Sequence, residues 1–369
     1  MEIDDFSSAD YHVVPPEHHG LELDEYLCLI FPGVTKGGLR RMIRDGRVLV
    51  DGEPVNPSHR VRGEQVLILD LDDAPPVHAA SAPETPVDVL FEDEHLLIVD
   101  KPPGLAVEPE RWDRGAATLA GELLRRARAD SPEGELRWRP RLCHRLDKDT
   151  TGCLAVARDL AAERTVRAAF QDGGAEKRYL ALVEGELPEA EPESDGLAGG
   201  WTVLDRPLGK DDRKAGRMRV DRGGKSSVTW VRPVQTFRGY SLVECRPLTG
   251  RTHQIRVHLA DAGFPLAVDP LYGRRDTLKL SELKRGYRPK KGRPERPLIE
   301  RLTLHARRLV VPSPSAEPLE FDPALRLELG DATFTGPSAD GRWVAAEAPL
   351  PRDLERVIKQ LSKVRPAGR

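Results

Sequence analysis

The stretch RLCHRLDKDTTGCLAVARD, Arg141 to Asp159, sets one acid, Asp147, two residues after Arg145 and just ahead of a small polar turn, Asp149, Thr150, Thr151 and Gly152, that leads into an apolar run. Taken alone, an Arg and an Asp near a strand end make an ordinary satisfied ion pair. The alternative is a carboxylate presented for covalent or acid–base chemistry. Further along, EKRYLALVEGE carries Tyr179 and CRPLTGRTHQIRVHLADAGFPLAVDPLYG carries Arg256. Tyr179 in an alternating strand can be plain core with an edge hydroxyl. His253 and His258 have the look of metal ligands. Read as part of a strand, however, their spacing of five puts them on opposite faces. No Cys or carboxylate cluster joins them, so they are read as structural hydrogen-bonding histidines.

These residues need elements to position them. HLLIVDK, CLAVARD and RYLALVEG read as strands, and TLAGELLRRARA and LAAERTVRAAFQ, the latter capped by Asp159, as helices. SSVTWVRPV and GYSLVECRPL add later strands. Strand-rich text broken by few helices predicts an α+β fold with a mixed, mainly antiparallel sheet. Ahead of it, Leu23, Leu27 and Ile30 recur at helical spacing and Gly33 closes that helix. A second short helix buries Leu39, Met42 and Ile43 and turns Lys36, Arg40, Arg41, Arg44 and Arg47 largely to solvent. Asp51-Gly52 then signals a hairpin, and EQVLILD returns as a strand. The expected organisation is an acidic N-terminal tail over 1–19, a compact helix–helix–hairpin unit over 20–70, a Pro/Ala-rich linker over 71–86 and a large domain over 87–369. A second acidic loop interrupts it from Leu187 to Gly200.

The chain of 369 residues is long enough for two domains. No apolar run approaches the roughly 20 residues that span a bilayer, and the acidic start lacks the order of a signal peptide, so a cytoplasmic protein is expected. The four cysteines, Cys28, Cys143, Cys153 and Cys245, have no C-x-x-C spacing, which argues against a disulfide framework and a zinc site. The net charge of −3 hides a segregation of sign. No Lys or Arg precedes Lys36, whereas ten basic side chains stand against four acidic ones between Arg274 and Glu300. That cluster is a local polyanion footprint.

Four ordered stretches, DEHLLIVDKPPGLAVEP at Asp93 to Pro109, the Asp147 stretch, the Tyr179 strand and Cys245 to Gly273, closely resemble the RluA-type pseudouridine synthases over roughly residues 86 to 350. The unit over 20–70 independently resembles the S-four-like RNA-binding domain found ahead of the catalytic domain in many such enzymes. Thr151 stands where Ser is usual, Glu108 where His is common, and Val268 where Gly often precedes the Asp-Pro-Leu-Tyr-Gly turn.

The resemblance implies an isomerisation of uridine to pseudouridine in RNA. The nitrogen-to-sugar bond breaks, the uracil turns in place, and a bond forms from carbon 5, with no redox cofactor and no metal. Asp147 is the implied nucleophile, on the sugar or on the base. Arg256 is the guanidinium that keeps it ionised. Tyr179 is the implied stacking aromatic, placed to help remove the carbon 5 proton. Arg145 is the candidate for holding the flipped nucleotide or filling its place. His144, Thr151, Ile255 and Lys101 join it as expected substrate or RNA contacts, and Lys36, Arg40, Arg41, Arg44 and Arg47 as the RNA-binding helix face. The expected partner is RNA, ribosomal rather than transfer RNA, with no DNA and no membrane, and the protein is expected to be a monomer. One rival is a non-catalytic RNA binder with a decayed site, against which stand Asp147, Tyr179 and Arg256 together. A metal-dependent nuclease would need carboxylates and histidines clustered on one face, and none is seen.

Overall fold

The computed structural model describes residues 10–31, 36–69, 85–107, 117–130, 138–189, 200–211, 213–214, 216–287, 294–313 and 342–367. Gly33, Glu108, most of the linker and the greater part of the acidic loop after Leu187 lie outside them. The chain divides into two compact units, residues 1–86 with 105–141, and residues 87–104 with 142–369.

In the first unit, β1 (Asp10–Val13), α1 (Leu23–Ile30), α2 (Lys36–Arg44), β2 (Val48–Val50), β3 (Glu53–Pro54) and β4 (Val66–Leu69) form a four-stranded sheet, ordered β1-β4-β2-β3, with two helices. Leu23, Tyr26 and Leu27 of α1 meet Leu39, Met42 and Ile43 of α2 and Val48, Val50, Leu67 and Leu69 of the strands in one core. The helical spacing of these residues makes two narrow apolar stripes that can be buried only against each other and the sheet. At the hairpin, Asp51 and Gly52 both have positive φ, 52° and 84°, as a two-residue turn matched to strand twist requires. The expected acidic tail is shorter than the sequence suggested. Asp10–Val13 pairs antiparallel with β4, in register from Asp10 opposite Leu69 to Val13 opposite Val66, as an edge strand of the sheet. On this strand His12 is buried.

The second unit is built on a ten-stranded sheet. It contains β5 (Asp88–Glu92), β6 (Leu96–Lys101), β8 (Thr151–Ala157), α4 (Leu160–Gln171) and β9 (Glu176–Glu184). These are followed by β10 (Thr202–Asp205), β11 (Leu208–Lys210), β12 (Met218–Val220), β13 (Val228–Phe237), β14 (Tyr240–Pro247), α5 (Gln254–Asp261), α6 (Leu280–Leu283), β15 (Leu304–Pro312), β16 (Trp343–Glu347) and a C-terminal helix (Arg352–Val364). The elements α3 (Leu119–Ala129) and β7 (Arg141–Leu142) come between β6 and β8 in the chain.

The main path of the sheet runs β10-β13-β14-β9-β15-β8-β6-β5. Pairing along it is antiparallel except between β8 and β15, where Thr151 lies opposite His305 and Gly152 opposite Ala306. The architecture is thus the mixed, mainly antiparallel α+β sheet read from the sequence. Every residue of β8 is buried, which is why CLAVA reads as an unbroken apolar run rather than an alternation. One core cluster joins Leu96, Ile98, Cys153, Ala155, Leu309 and Val311 to Ala162 and Val166 of α4. Another joins Leu182, Phe237 and Leu242 to Leu354, Val357 and Leu361 of the C-terminal helix. Asp159 caps α4 as expected, its side chain accepting from the Ala162 N–H at 2.9 Å. Among the described residues no helix is long and apolar enough to cross a membrane.

Candidate active site

Asp147 opens a tight turn: the Thr150 N–H donates to the Asp147 carbonyl at 3.0 Å. Two features fix this turn to the sheet. Gly152, at φ 110°, lies so close to β15 that a Cβ would sit 2.2 Å from the Ala306 carbonyl oxygen, so only glycine allows β8 to start there. Lys101, at the end of β6 and opposite Gly152, is fully buried and donates from Nζ to the carbonyls of Lys148 at 2.7 Å and Pro102 at 2.9 Å. Burial pulls its ammonium down to about 7, while the charges of Asp149 and Asp147 pull the other way. Lys101 was expected to touch RNA. Its ammonium braces the loop from beneath, since an amine that deep must be paired.

The neighbouring candidates are turned inward in the same way. His144 accepts the Ala155 N–H at Nε2, 2.9 Å away, and its ring lies 4.4 Å from that of Phe170. Burial pushes it down to about 3, so it is neutral. Thr151 is buried, with Oγ1 2.9 Å from His305 Nδ1. Ile255 is buried in the first turn of α5. His144 Nε2 and Thr151 Oγ1 thus have partners within the protein. Arg145, between His144 and buried Leu146, is exposed.

The segment THQIRVH is a helix rather than a strand. The first six residues of α5, Gln254 to Leu259, are buried, so burial on all sides erases the stripe that would have marked it. Gln254 anchors the helix: its side chain donates to the Val228 carbonyl and Thr229 Oγ1, and accepts from Arg251 N–H and Thr249 Oγ1. His258 lies between Thr229 Oγ1 and the Arg206 carbonyl, each at 2.9 Å, a structural role. Among the described residues no group of three His, Cys, Asp or Glu is placed to hold a metal.

Arg256 joins the two halves of the site. Nη1 donates to Asp147 Oδ2 at 2.7 Å, while Nε and Nη2 donate to the two oxygens of Asp269 at 2.8 and 2.9 Å. Burial alone would lower the guanidinium's proton affinity, but the bonds to Asp269 and Asp147 more than offset it and raise it. Asp269 is fully buried and also accepts the N–H groups of Leu271 and Tyr272. Sequence reasoning missed Asp269. The available signal was physical: a buried arginine serving one half-exposed carboxylate needs a second anion to hold its orientation.

Tyr179, on β9, is buried, and its hydroxyl is pushed well above the ordinary phenol range by burial first and the charge of Asp147 second. It stands as a neutral phenol. Tyr272 lies edge-on to His253, with Arg256 5.0 Å from its ring.

Residues 95–261 match the family described as RNA pseudouridylate synthase, and residues 23–67 match the S4 domain. The protein named ribosomal large subunit pseudouridine synthase D of Xanthomonas campestris pv. campestris is 33% identical over 363 residues, 96% of this chain and 93% of that one. The protein of the same name in Nitrosomonas europaea is 36% identical over 261 residues, 71% of each chain. Among solved structures, Human RNA Pseudouridylate Synthase Domain Containing 4 aligns with a TM-score of 0.47 and 23% identity over 74% of this chain and 92% of that one.

Proposed function

This chain belongs to the RNA pseudouridylate synthase family, and from that premise we propose that it isomerises uridines of large-subunit ribosomal RNA, with Asp147 as nucleophile. The enzyme is an isomerase: the product has the atoms of the substrate. The proton leaving carbon 5 is balanced by one gained at the freed ring nitrogen. The observation that carries the residue assignment is the Asp147–Arg256–Asp269 chain. A nucleophilic carboxylate must stay ionised while a base covers it, and a guanidinium locked by a second, buried carboxylate holds it so without itself being drawn away.

Tyr179 supplies the stacking surface under the base, and its hydroxyl, which burial keeps protonated, helps remove the carbon 5 proton by giving its own proton to the freed ring nitrogen as it takes that one. Arg145, exposed two residues from the nucleophile, contacts the flipped-out nucleotide or the gap it leaves. The S4 domain anchors the RNA through α2.

Asp147→Asn keeps the shape of the side chain and removes its ability to attack. The purified variant should form no pseudouridine in a large-subunit ribosomal RNA transcript mapped base by base, with RNA affinity and melting temperature near those of the wild type. Turnover near the wild-type rate would remove Asp147 from the reaction. A modified transfer RNA and an untouched ribosomal transcript would overturn the substrate class.

A further inference from the structure

The two oxygens of Asp147 are not equivalent. Oδ2 accepts the short bond from Arg256, whereas Oδ1 faces His253, whose Nε2 lies 3.8 Å away. That distance is too long for a hydrogen bond and short enough for an N–H to be attracted by the charge. The oxygen bonded at 2.7 Å to a guanidinium is the poorer nucleophile, so the attacking lone pair is on Oδ1. We propose that His253 is a positioning residue for this reaction, holding an Nε2–H beside the attacking oxygen of Asp147. The inference rests on the reading of Asp147 as nucleophile.

Its backbone makes His253 unusual. It is the N-cap of α5 in the left-handed region, φ 55° and ψ 18°, and its side chain makes no capping hydrogen bond. Glycine or asparagine holds that conformation at lower cost. A histidine kept there, with its ring turned to Asp147, is an outlier that invites a functional account.

The hydrogen-bond network sets the tautomer. Tyr272 Oη accepts the Met218 N–H at 2.7 Å and lies 2.9 Å from His253 Nδ1. A phenol has one proton to give, and giving it to Nδ1 leaves the imidazole proton on Nε2. The opposite tautomer would aim a nitrogen lone pair at a carboxylate. Tyr272 is itself held in place by Arg256 at 5.0 Å and Arg217 at 5.4 Å from its ring. Burial favours the neutral ring, against the pull of Asp147, while Arg256 and Arg145 favour it and Asp269 opposes it.

The proton remains on His253 throughout. On attack, the Oδ1 lone pair becomes an oxygen–carbon bond while the bond it displaces, sugar carbon to ring nitrogen or the carbon 5–carbon 6 double bond of the base, gives its electron pair to the uracil, and the carboxylate loses its charge. When that bond later breaks, its electron pair returns to Oδ1, and the waiting N–H stabilises the charge as it reappears. The residue therefore affects the chemical steps and leaves RNA binding alone.

The test compares His253→Ala, His253→Asn and His253→Gln in single turnover on a target stem-loop RNA at saturating enzyme, with RNA affinity and melting temperature measured alongside. Ala should slow the reaction about 10- to 100-fold at unchanged affinity. Asn suits the left-handed cap but is too short to bring its N–H to Oδ1, so it should remain as slow. Gln brings an amide N–H near the place of Nε2 and should recover about tenfold over Asn. Wild-type speed for the Ala variant, or a Gln variant no faster than Asn at matched stability and affinity, overturns the proposal. Asp147→Asn run in parallel separates the two readings. If it is inactive while His253→Ala is fast, only the role of His253 fails; if it is active, the nucleophile assignment fails first.

Discussion

Asp269 grips Arg256 through two parallel hydrogen bonds of 2.8 and 2.9 Å, which occupy one edge of the guanidinium and leave Nη1 alone to meet Asp147. The grip sets the direction of the third bond. Arg256→Met leaves Asp269 charged, fully buried and without its counterion, which should lower the unfolding free energy by about 3–5 kcal/mol and abolish turnover. Arg256→Lys keeps a charge but has no planar fork, so it cannot serve both acids at once; stability should fall less and turnover nearly as much. Denaturant unfolding with parallel rate measurements checks both. A Met variant that unfolds at the wild-type midpoint would mean that Asp269 does not depend on this arginine.

Lys101 makes stability depend on pH in a stated direction. Its folded-state pKa is near 7, below the 10.5 of an ordinary lysine, so between those values the unfolded chain binds the extra proton and stability rises with pH. Lys177, lowered to about 8 by burial, acts in the same sense. Buried thiols and phenols, with raised pKa values, oppose this only at higher pH. Unfolding free energy measured from about pH 7 to about pH 8.5 should therefore climb, and Lys101→Met should flatten the climb. The same variant should lower turnover, because the Lys148 carbonyl in the Asp147 turn loses its ammonium donor. An unchanged slope in the variant would show that Lys101 does not titrate there.

What the sequence disclosed and what it hid have physical reasons. The strands around β8 and β9 and the capped helix α4 were legible because period and capping chemistry are local. The family was legible through the order and spacing of whole motifs, those that carry Asp147, Tyr179 and Arg256, not through any one residue. The helix α5 was hidden because it is buried on all sides, so its pattern lacks a polar face. The partners of Lys101, His144 and Thr151, namely Lys148, Ala155 and His305, come from elsewhere in the chain or the sheet and could not be read from the motifs themselves. Asp269 was invisible for the same reason: its meaning is a contact with Arg256, and the turn that holds it looked sufficient on its own.

The basic face of α2 is not uniformly available to RNA. Asp24, buried in α1, accepts from Arg40 Nε at 2.6 Å and lies 3.4 Å from Lys36, which also meets Glu25 at 3.3 Å. Two of the five basic side chains assigned to RNA thus serve the unit's own packing, while Arg41 and Arg44 are exposed. Arg41→Glu with Arg44→Glu should weaken binding to the natural RNA and flatten its salt dependence by somewhat under one unit of log–log slope for each phosphate no longer neutralised. The melting temperature should stay near that of the wild type. Arg40→Glu should act differently, placing a second carboxylate against buried Asp24, and so should lower the melting temperature more than the double variant does. A short RNA that already presents the target uridine in an open loop should still be modified at saturation by the double variant, since Asp147, Tyr179 and Arg256 belong to the other compact unit. Binding titrations over a range of salt, thermal melts and single-turnover rates on both substrates decide the matter. An unchanged salt slope in the double variant would show that α2 is not the RNA anchor, and the exposed part of the basic segment beginning at Arg274 would be the next surface to reverse.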